Sequence, residues 1–88
     1  MDLARVRLAA REYATALRDM PQDPRVDYAA DFCDRLIAMI DREPERREKI
    51  MRWYGWIQGA LWALGVYTVD ELKAHSRPDM EPGFERPS

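Results

Sequence analysis

Residues 50–65 read I-M-R-W-Y-G-W-I-Q-G-A-L-W-A-L-G, and this stretch decides how the chain folds. Its main apolar stripe has the spacing of one helix face and consists of Ile50, Tyr54, Ile57, Leu61 and Leu64. Three tryptophans occupy other angles, and Gly55, Gly59 and Ala63 follow one another at intervals of four. The stretch therefore predicts a helix that is apolar on all sides and needs cover on all sides.

Two amphipathic helices precede this segment, and proline and aspartate mark their boundaries. The stripe of the first helix consists of Leu3, Val6, Ala10, Tyr13, Leu17 and Met20. The stripe of the second consists of Val26, Ala29, Cys33, Leu36 and Ile40. Asp2 and Asp23 are predicted N-cap residues, and Pro21 ends the first helix near Asp19. The second helix ends near Arg42, and Pro44 is predicted to open the third.

Gly65 is the predicted C′ residue of the third helix, and a short fourth helix is predicted to follow. Thr68 and Glu71 read as a capping box, and the helix runs to about His75. From Ser76 onward the chain carries three prolines, a glycine and five charges, which is typical of a disordered tail. The predicted fold is therefore all-α. A small antiparallel bundle of three main helices with a short C-terminal helix covers residues 1–75, and the disordered tail covers 76–88.

Composition limits the classes of function. A chain of 88 residues forms one domain, and its only cysteine, Cys33, excludes an internal disulfide and fits a reducing cytoplasm. The N-terminus shows no signal peptide, and the longest uncharged run, residues 53–69, is too weakly apolar to indicate a membrane span. A net charge of −2 argues against nucleic acid as the main partner. Oligomerisation is the remaining common way to stabilise so small a core.

The third helix is the predicted interaction site. Small residues at intervals of four let two helix backbones approach closely, and large exposed apolar patches usually mark contacts. The predicted interface residues are Trp53, Gly55, Trp56, Gln58, Gly59 and Trp62. The alternative is that this helix is simply the central core helix of one chain. Gln58 has two interpretations as well. Its amide either fixes the register of two chains across a two-fold axis or makes a hydrogen bond inside one chain.

Other polar patterns are weaker candidates for a functional site. A candidate ligand-binding cluster for nucleotides or nucleic acid consists of Arg46, Arg47, Lys49 and Arg52, beside two tryptophans. Interleaved glutamates make a solvated helix face the favoured interpretation. An acidic stripe consists of Asp27, Asp31 and Asp34, which lacks the second acidic pair of a metal-dependent hydrolase. Cys33 and His75 are the one conceivable nucleophile–base pair. We expect no enzymatic activity, no metal and no cofactor.

Part of the chain resembles a known family. Glu48-Lys49, Arg52-Trp53, Gly55, Gln58-Gly59, Leu61-Trp62, Gly65, Tyr67-Thr68 and Glu71-Leu72 resemble a run shared by small uncharacterised proteins of phages and prophages. The match covers about a third of the chain. Short phage accessory proteins often bind and block host proteins, including defence systems. The resemblance therefore implies a homo-oligomeric or host-binding protein that acts through protein–protein contacts, and it supplies no mechanism.

Overall fold

The computed structural model describes residues 2–77, and this part of the chain is all-helical. Its four helices are α1 (Leu3–Arg18), α2 (Pro24–Arg42), α3 (Arg47–Ala63) and α4 (Val69–Ser76). The predicted all-α class is confirmed. α4 includes Ser76 and has Arg77 as its C-cap, so the first two residues of the predicted disordered tail belong to the end of this helix, and residues 78–88 lie outside the described residues.

The predicted N-caps of the first two helices are confirmed, whereas the predicted start of the third is wrong. Asp2 accepts a hydrogen bond from the Ala4 N–H, and Asp23 accepts one from the Arg25 N–H. α3 begins three residues after Pro44, at Arg47. The Arg46 N–H closes a separate turn on the Glu43 carbonyl at 3.0 Å, so the helical ladder starts only after that turn.

A glycine ends α3, as the sequence predicts. Gly65 has a φ of +73°, a left-handed conformation that residues with a side chain rarely adopt. Its N–H donates to the Trp62 carbonyl at 3.0 Å, and the Val66 N–H donates to the Leu61 carbonyl at 2.9 Å. This pair of bonds is a Schellman motif, which satisfies the last carbonyls of α3 and turns the chain sharply toward α4.

The capping box of α4 is also confirmed. The Thr68 hydroxyl accepts from the Glu71 N–H at 3.2 Å, and the Glu71 carboxylate accepts from the Thr68 N–H at 2.8 Å. The flanking side chains of Tyr67 and Leu72 are both buried. The two caps fix where α3 stops and where α4 starts, so they determine how α4 lies beside α3.

The core lies where the predicted stripes of the helices meet. Its fully buried members include Val6, Leu17, Leu36, Ile50 and Leu61, and each stripe contributes to it. None of the helices within residues 2–77 is long and apolar enough to cross a membrane. The core is continuous over all four helices, so these residues form one folding unit.

Ion pairs join α1 to α2. The Arg7 guanidinium bonds the Asp41 carboxylate at 2.8 Å, and Arg18 bonds Asp34 at 2.5 Å. The earlier residue of α1 thus contacts the later residue of α2, and the later residue of α1 contacts the earlier one. The hydrogen bond from Arg7 holds the pKa of Asp41 below its ordinary value. Both pairs are solvent-exposed, so they set the register of the helices more than they stabilise the fold.

We predict opposite effects for the same substitution at two glycines. Gly65→Ala forces a side chain into the left-handed region and should lower the free energy of unfolding by roughly 1–2 kcal/mol. Gly55→Ala, in the interior of α3 with open space where the Cβ would stand, should raise it by up to about 1 kcal/mol. Urea denaturation followed by far-UV circular dichroism measures both. Equal effects at the two positions would contradict this account of the turn.

Candidate interaction surface

The two sides of α3 have different environments. One side carries the predicted stripe, and Ile50, Ile57 and Leu61 on it are completely buried. Tyr54, on the same side, is also buried and stacks near Tyr13 of α1 with ring centroids 6.3 Å apart. The opposite side is not covered by any described part of the chain, so the helix fills the core with only one of its apolar sides.

The uncovered side carries Gly55, Gly59 and Ala63, which we call the small-residue strip. All three residues are exposed. A Cβ atom built on Gly55 or Gly59 would meet no atom within 4 Å. Neither glycine is therefore needed for close packing inside the chain. Each costs about 1 kcal/mol of helix propensity relative to alanine, and nothing in the described chain compensates that cost.

Exposed apolar side chains gather around this strip. Trp56 and Trp62 flank it and remain 48% and 59% exposed. Tyr28 of α2 is 55% exposed, and its ring meets the Trp56 ring edge-on with centroids 5.8 Å apart. Val69, at the start of α4, is 47% exposed. These four side chains and the small-residue strip together form what we call the apolar face.

The concentration of apolar surface on this side is strong. Among residues 2–77, five large apolar side chains are exposed, and only Leu8 of α1 is not part of the apolar face. Sequence reasoning did not single out Tyr28 or Val69. Tyr28 lies outside the stripe of α2 one turn before Phe32, which is the only sequence signal that could have indicated it.

Two grooves border the strip. The α2/α3 groove has a volume of about 420 Å³ and is lined by Pro24, Arg25, Tyr28, Ala29, Trp56, Ala60, Ala63 and Leu64. The α3/α4 groove has a volume of about 530 Å³ and is lined by Gln58, Gly59, Trp62, Val69, Leu72, Lys73, Ser76 and Arg77. Both grooves are open and mainly apolar, so the apolar face is not flat but has a groove on each side of the small-residue strip.

Trp53 is only half-buried and packs inside the chain. Its ring lies 4.8 Å from the Phe32 ring of α2, which also contacts Trp56 at 4.6 Å. The Lys49 ammonium lies 5.2 Å from the centroid of the Trp53 ring, a cation–π distance. Trp53 therefore attaches α3 to α2 and lies at the margin of the apolar face, whereas the sequence placed it in the interface.

Gln58 makes hydrogen bonds inside the chain. Its amide nitrogen lies 3.0 Å from Tyr54 Oη and Ser76 Oγ, 3.3 Å from the Leu72 carbonyl and 3.4 Å from Tyr13 Oη. Tyr54 Oη also lies 3.1 Å from Ser76 Oγ. The second of the two sequence interpretations is therefore the observed one. The amide links α3 to both α1 and α4 beneath the α3/α4 groove.

His75 extends this network. The side chain is completely buried, and its Nδ1 lies 2.7 Å from Tyr13 Oη. Its ring meets the Tyr67 ring edge-on at 4.8 Å. Burial raises the pKa of Tyr13 far above its ordinary value, so the phenol stays protonated and can donate to the imidazole. His75 thus pairs with Tyr13, and the conceivable pairing with Cys33 is not the one observed.

Arg5 fastens the end of α4 to α1. Its Nε donates to the His75 carbonyl at 2.7 Å, and one terminal nitrogen donates to the Arg77 carbonyl at 2.8 Å. A cation at a helix C-terminus also interacts favourably with the helix dipole. No spacing rule relates residue 5 to residue 77, so the sequence could not have indicated this contact.

The basic cluster lies along a shallow depression at the start of α3, away from the apolar face. The depression is about 370 Å³ in volume and is lined by Arg46, Arg47, Lys49 and Arg52 together with Glu45 and Glu48. Arg46 also bonds Glu43 at 3.4 Å. The structure therefore brings the four predicted cations together, but it surrounds them with carboxylates.

The remaining polar candidates have structural contacts. Arg18 reaches two of the three aspartates of the acidic stripe, Asp34 at 2.5 Å and Asp31 at 3.9 Å. No cluster of potential metal ligands occurs within residues 2–77. Burial raises the pKa of Cys33 to about 12, so its thiol is protonated at neutral pH and packs as a small apolar group.

No protein-family model matches the chain, and no curated protein or solved structure is significantly similar to it. The functional argument therefore depends on the geometry of the apolar face.

We predict that the buried network stabilises the fold through the Tyr13 hydroxyl. Tyr13→Phe should lower the free energy of unfolding by about 1–3 kcal/mol, because buried polar atoms of His75 lose a partner. Tyr28→Phe removes a hydroxyl from an exposed ring and is the matched control, with an expected change within about 0.5 kcal/mol. Urea denaturation measures both, and equal losses would refute a specific role for the network.

Proposed function

We propose that this chain is a protein-interaction module without catalytic activity, and that it self-associates through the apolar face. The observation that carries the proposal is the gathering of Tyr28, Trp56, Trp62 and Val69 around a strip of residues without side-chain bulk. Monomeric soluble proteins rarely expose a continuous apolar patch of this kind, and such patches mark contacts. The interface residues are then Gly55, Trp56, Gly59 and Trp62 of the original prediction, with Tyr28 and Val69 added.

The scaffold of the proposal is an antiparallel bundle of α1, α2 and α3. The ion pair of Arg7 with Asp41 supports the antiparallel pairing of α1 with α2. The contacts of Phe32 with Trp53 and of Tyr28 with Trp56 support the same relation between α2 and α3. In this arrangement α3 lies at the surface of the bundle, so its second apolar side faces outward.

The resemblance to phage and prophage proteins extends the proposal to a host partner. A phage-type accessory protein in the reducing cytoplasm of a host cell would use the same apolar face to bind and inhibit a host protein, including a protein of a defence system. Small residues flanked by tryptophans suit such a role, because aromatic side chains dominate the energetics of protein interfaces. The buried Cys33 thiol is compatible with that compartment.

We predict that Gly59→Leu dissociates the oligomer without unfolding the chain. The Cβ position is open, so the monomer should keep its helicity and thermal stability, while a bulky side chain blocks the approach of a second chain. Light scattering over a concentration series gives the mass, and circular dichroism gives the fold. Thr15→Leu is the matched control, because it adds the same side chain at an exposed position of α1, outside the apolar face.

Two results would contradict this proposal. A wild-type chain that remains strictly monomeric at high micromolar concentration would refute self-association. A Gly59→Leu variant that unfolds would show that the small-residue strip packs within the chain.

The alternative function is binding of nucleotides or nucleic acid, and the favouring observation is the convergence of Arg46, Arg47, Lys49 and Arg52 on one depression. Phosphate contacts weaken steeply as salt rises. If this function holds, a labelled oligonucleotide should bind at low salt, and Arg47→Gln with Arg52→Gln should reduce the salt dependence by about two phosphate contacts. Absence of binding to oligonucleotides and mononucleotides at low salt would eliminate it. Glu45 and Glu48 in the same depression make it the weaker candidate.

A further inference from the structure

The two flanks of the small-residue strip have complementary shapes. On the flank beside α4, the Trp62 indole projects from the surface and is 59% exposed. On the flank beside α2 lies the groove of about 420 Å³, whose α3 wall is lowered by Ala60 and Ala63. Trp62 lies between these two alanines in sequence, so the indole and the groove stand at the same level along the helix axis.

We propose that a second copy of this chain covers the apolar face about a two-fold axis parallel to α3, and that Trp62 of each copy enters the α2/α3 groove of the other. The inference rests on the proposed self-association and specifies its geometry. A two-fold interface pairs the same surface on both copies, so residue contacts occur twice. One projecting side chain and one groove per copy therefore make two identical contacts.

Symmetry distinguishes this arrangement from its main competitor. An axis parallel to α3 places the α4 flank of one copy against the α2 flank of the other. An axis perpendicular to α3 in the plane of the interface places each flank against itself. Lys73 is an exposed cation that lines the groove of the α4 flank, so the perpendicular arrangement brings the Lys73 side chains of both copies to the same flank of the interface. It also turns each Trp62 toward the α3/α4 groove of the other copy and away from the aromatic α2/α3 groove.

The chemistry of the α2/α3 groove suits an indole. Tyr28 and Trp56 present aromatic rings, and aromatic pairs gain from edge-to-face contacts in addition to burial. Arg25 lines the same groove, and its guanidinium lies 3.1 Å from the Asp23 carboxylate. This cation is therefore placed to stack on an aromatic ring that enters the groove. The groove is otherwise lined by alanine, leucine and proline side chains, which leave no unsatisfied polar group when covered.

The available area is that of a weak dimer. With about 150–250 Å² for each aromatic side chain, the exposed parts of Tyr28, Trp56, Trp62 and Val69 amount to roughly 400 Å² in one copy. Two copies bury about twice this area, and the strip and the groove walls add to it. The exposed side chains alone therefore supply about 800 Å², below the lower limit of about 1,200 Å² for stable specific interfaces, so we expect a weak dimer. A flat contact would not reach this limit, whereas interlocking of Trp62 with the groove increases the buried area.

A mixing experiment on the full chain tests the geometry. Trp62→Ala removes the projecting side chain, and Ala60→Arg blocks the groove at a half-buried position outside the small-residue strip. Each variant alone should dimerise at least about tenfold more weakly than wild type, because both contacts of the homodimer are lost. In the mixed dimer, the Trp62→Ala copy offers an open groove to the intact Trp62 of the Ala60→Arg copy. One contact is thereby restored, so the mixture should associate more tightly than either variant alone.

Sedimentation velocity with one variant fluorescently labelled measures the mixed dimer, and circular dichroism confirms that both variants are folded. Ala60→Ser, which keeps the groove open, is the control and should dimerise like wild type. A wild-type dimer without rescue in the mixture would overturn this geometry and leave self-association standing. A monomeric wild-type chain would overturn the proposed function itself.

Discussion

The hydrogen bonds that hold α4 against α1 and α3 are the constraint on which the rest of the structure depends. An eight-residue helix is not stable by itself in water, because the free-energy cost of nucleating it exceeds the free energy gained from its few hydrogen-bonded turns. α4 is stable in this structure because side chains of the other helices form hydrogen bonds with it. Gln58 reaches the Leu72 carbonyl and Ser76, Tyr13 meets His75, and Arg5 bonds the last carbonyls. With α4 in place, the core is closed at this end and the α3/α4 groove has its second wall.

α3 is apolar on two opposite sides, of which only one is buried, and this combination is rare on one helix. Its stripe of Ile50, Tyr54, Ile57 and Leu61 fills the core, and its opposite side is apolar without being buried. A helix in a single small domain normally carries charged residues on its outer side. The departure from that pattern begins only after Arg52. The exposed tryptophans and open glycines of the C-terminal half therefore require an explanation outside the packing of the single chain.

Local signals predicted much of the fold, because caps and turns depend on neighbouring residues. The Thr68–Glu71 capping box, the C′ glycine Gly65 and the caps at Asp2 and Asp23 all depend on residues within one turn. The predicted start of α3 was wrong because a proline is compatible with the first turn of a helix but does not require a helix to begin there. The chain first forms a turn closed by the Arg46 N–H on the Glu43 carbonyl, and α3 begins at Arg47.

Features that depend on distant residues could not be predicted in the same way. The contact of Arg5 with the end of α4 joins residues 72 positions apart, and Gln58 fits an external role and an internal one equally well by sequence. The exposed tryptophans were identifiable, because their angles on α3 lie outside the buried stripe. Tyr28 was not, because its exposure depends on where α2 meets Trp56.

The open space over Gly55 and Gly59 has a consequence for how such a protein can change over time. Residues on the buried side of α3 contact three other helices, so each substitution there must be accommodated by several neighbours. A side chain added at either glycine meets no described atom of its own chain. Binding preference can therefore drift at these positions while the scaffold remains intact, so descendants of one ancestral sequence could keep a common framework and recognise entirely different targets.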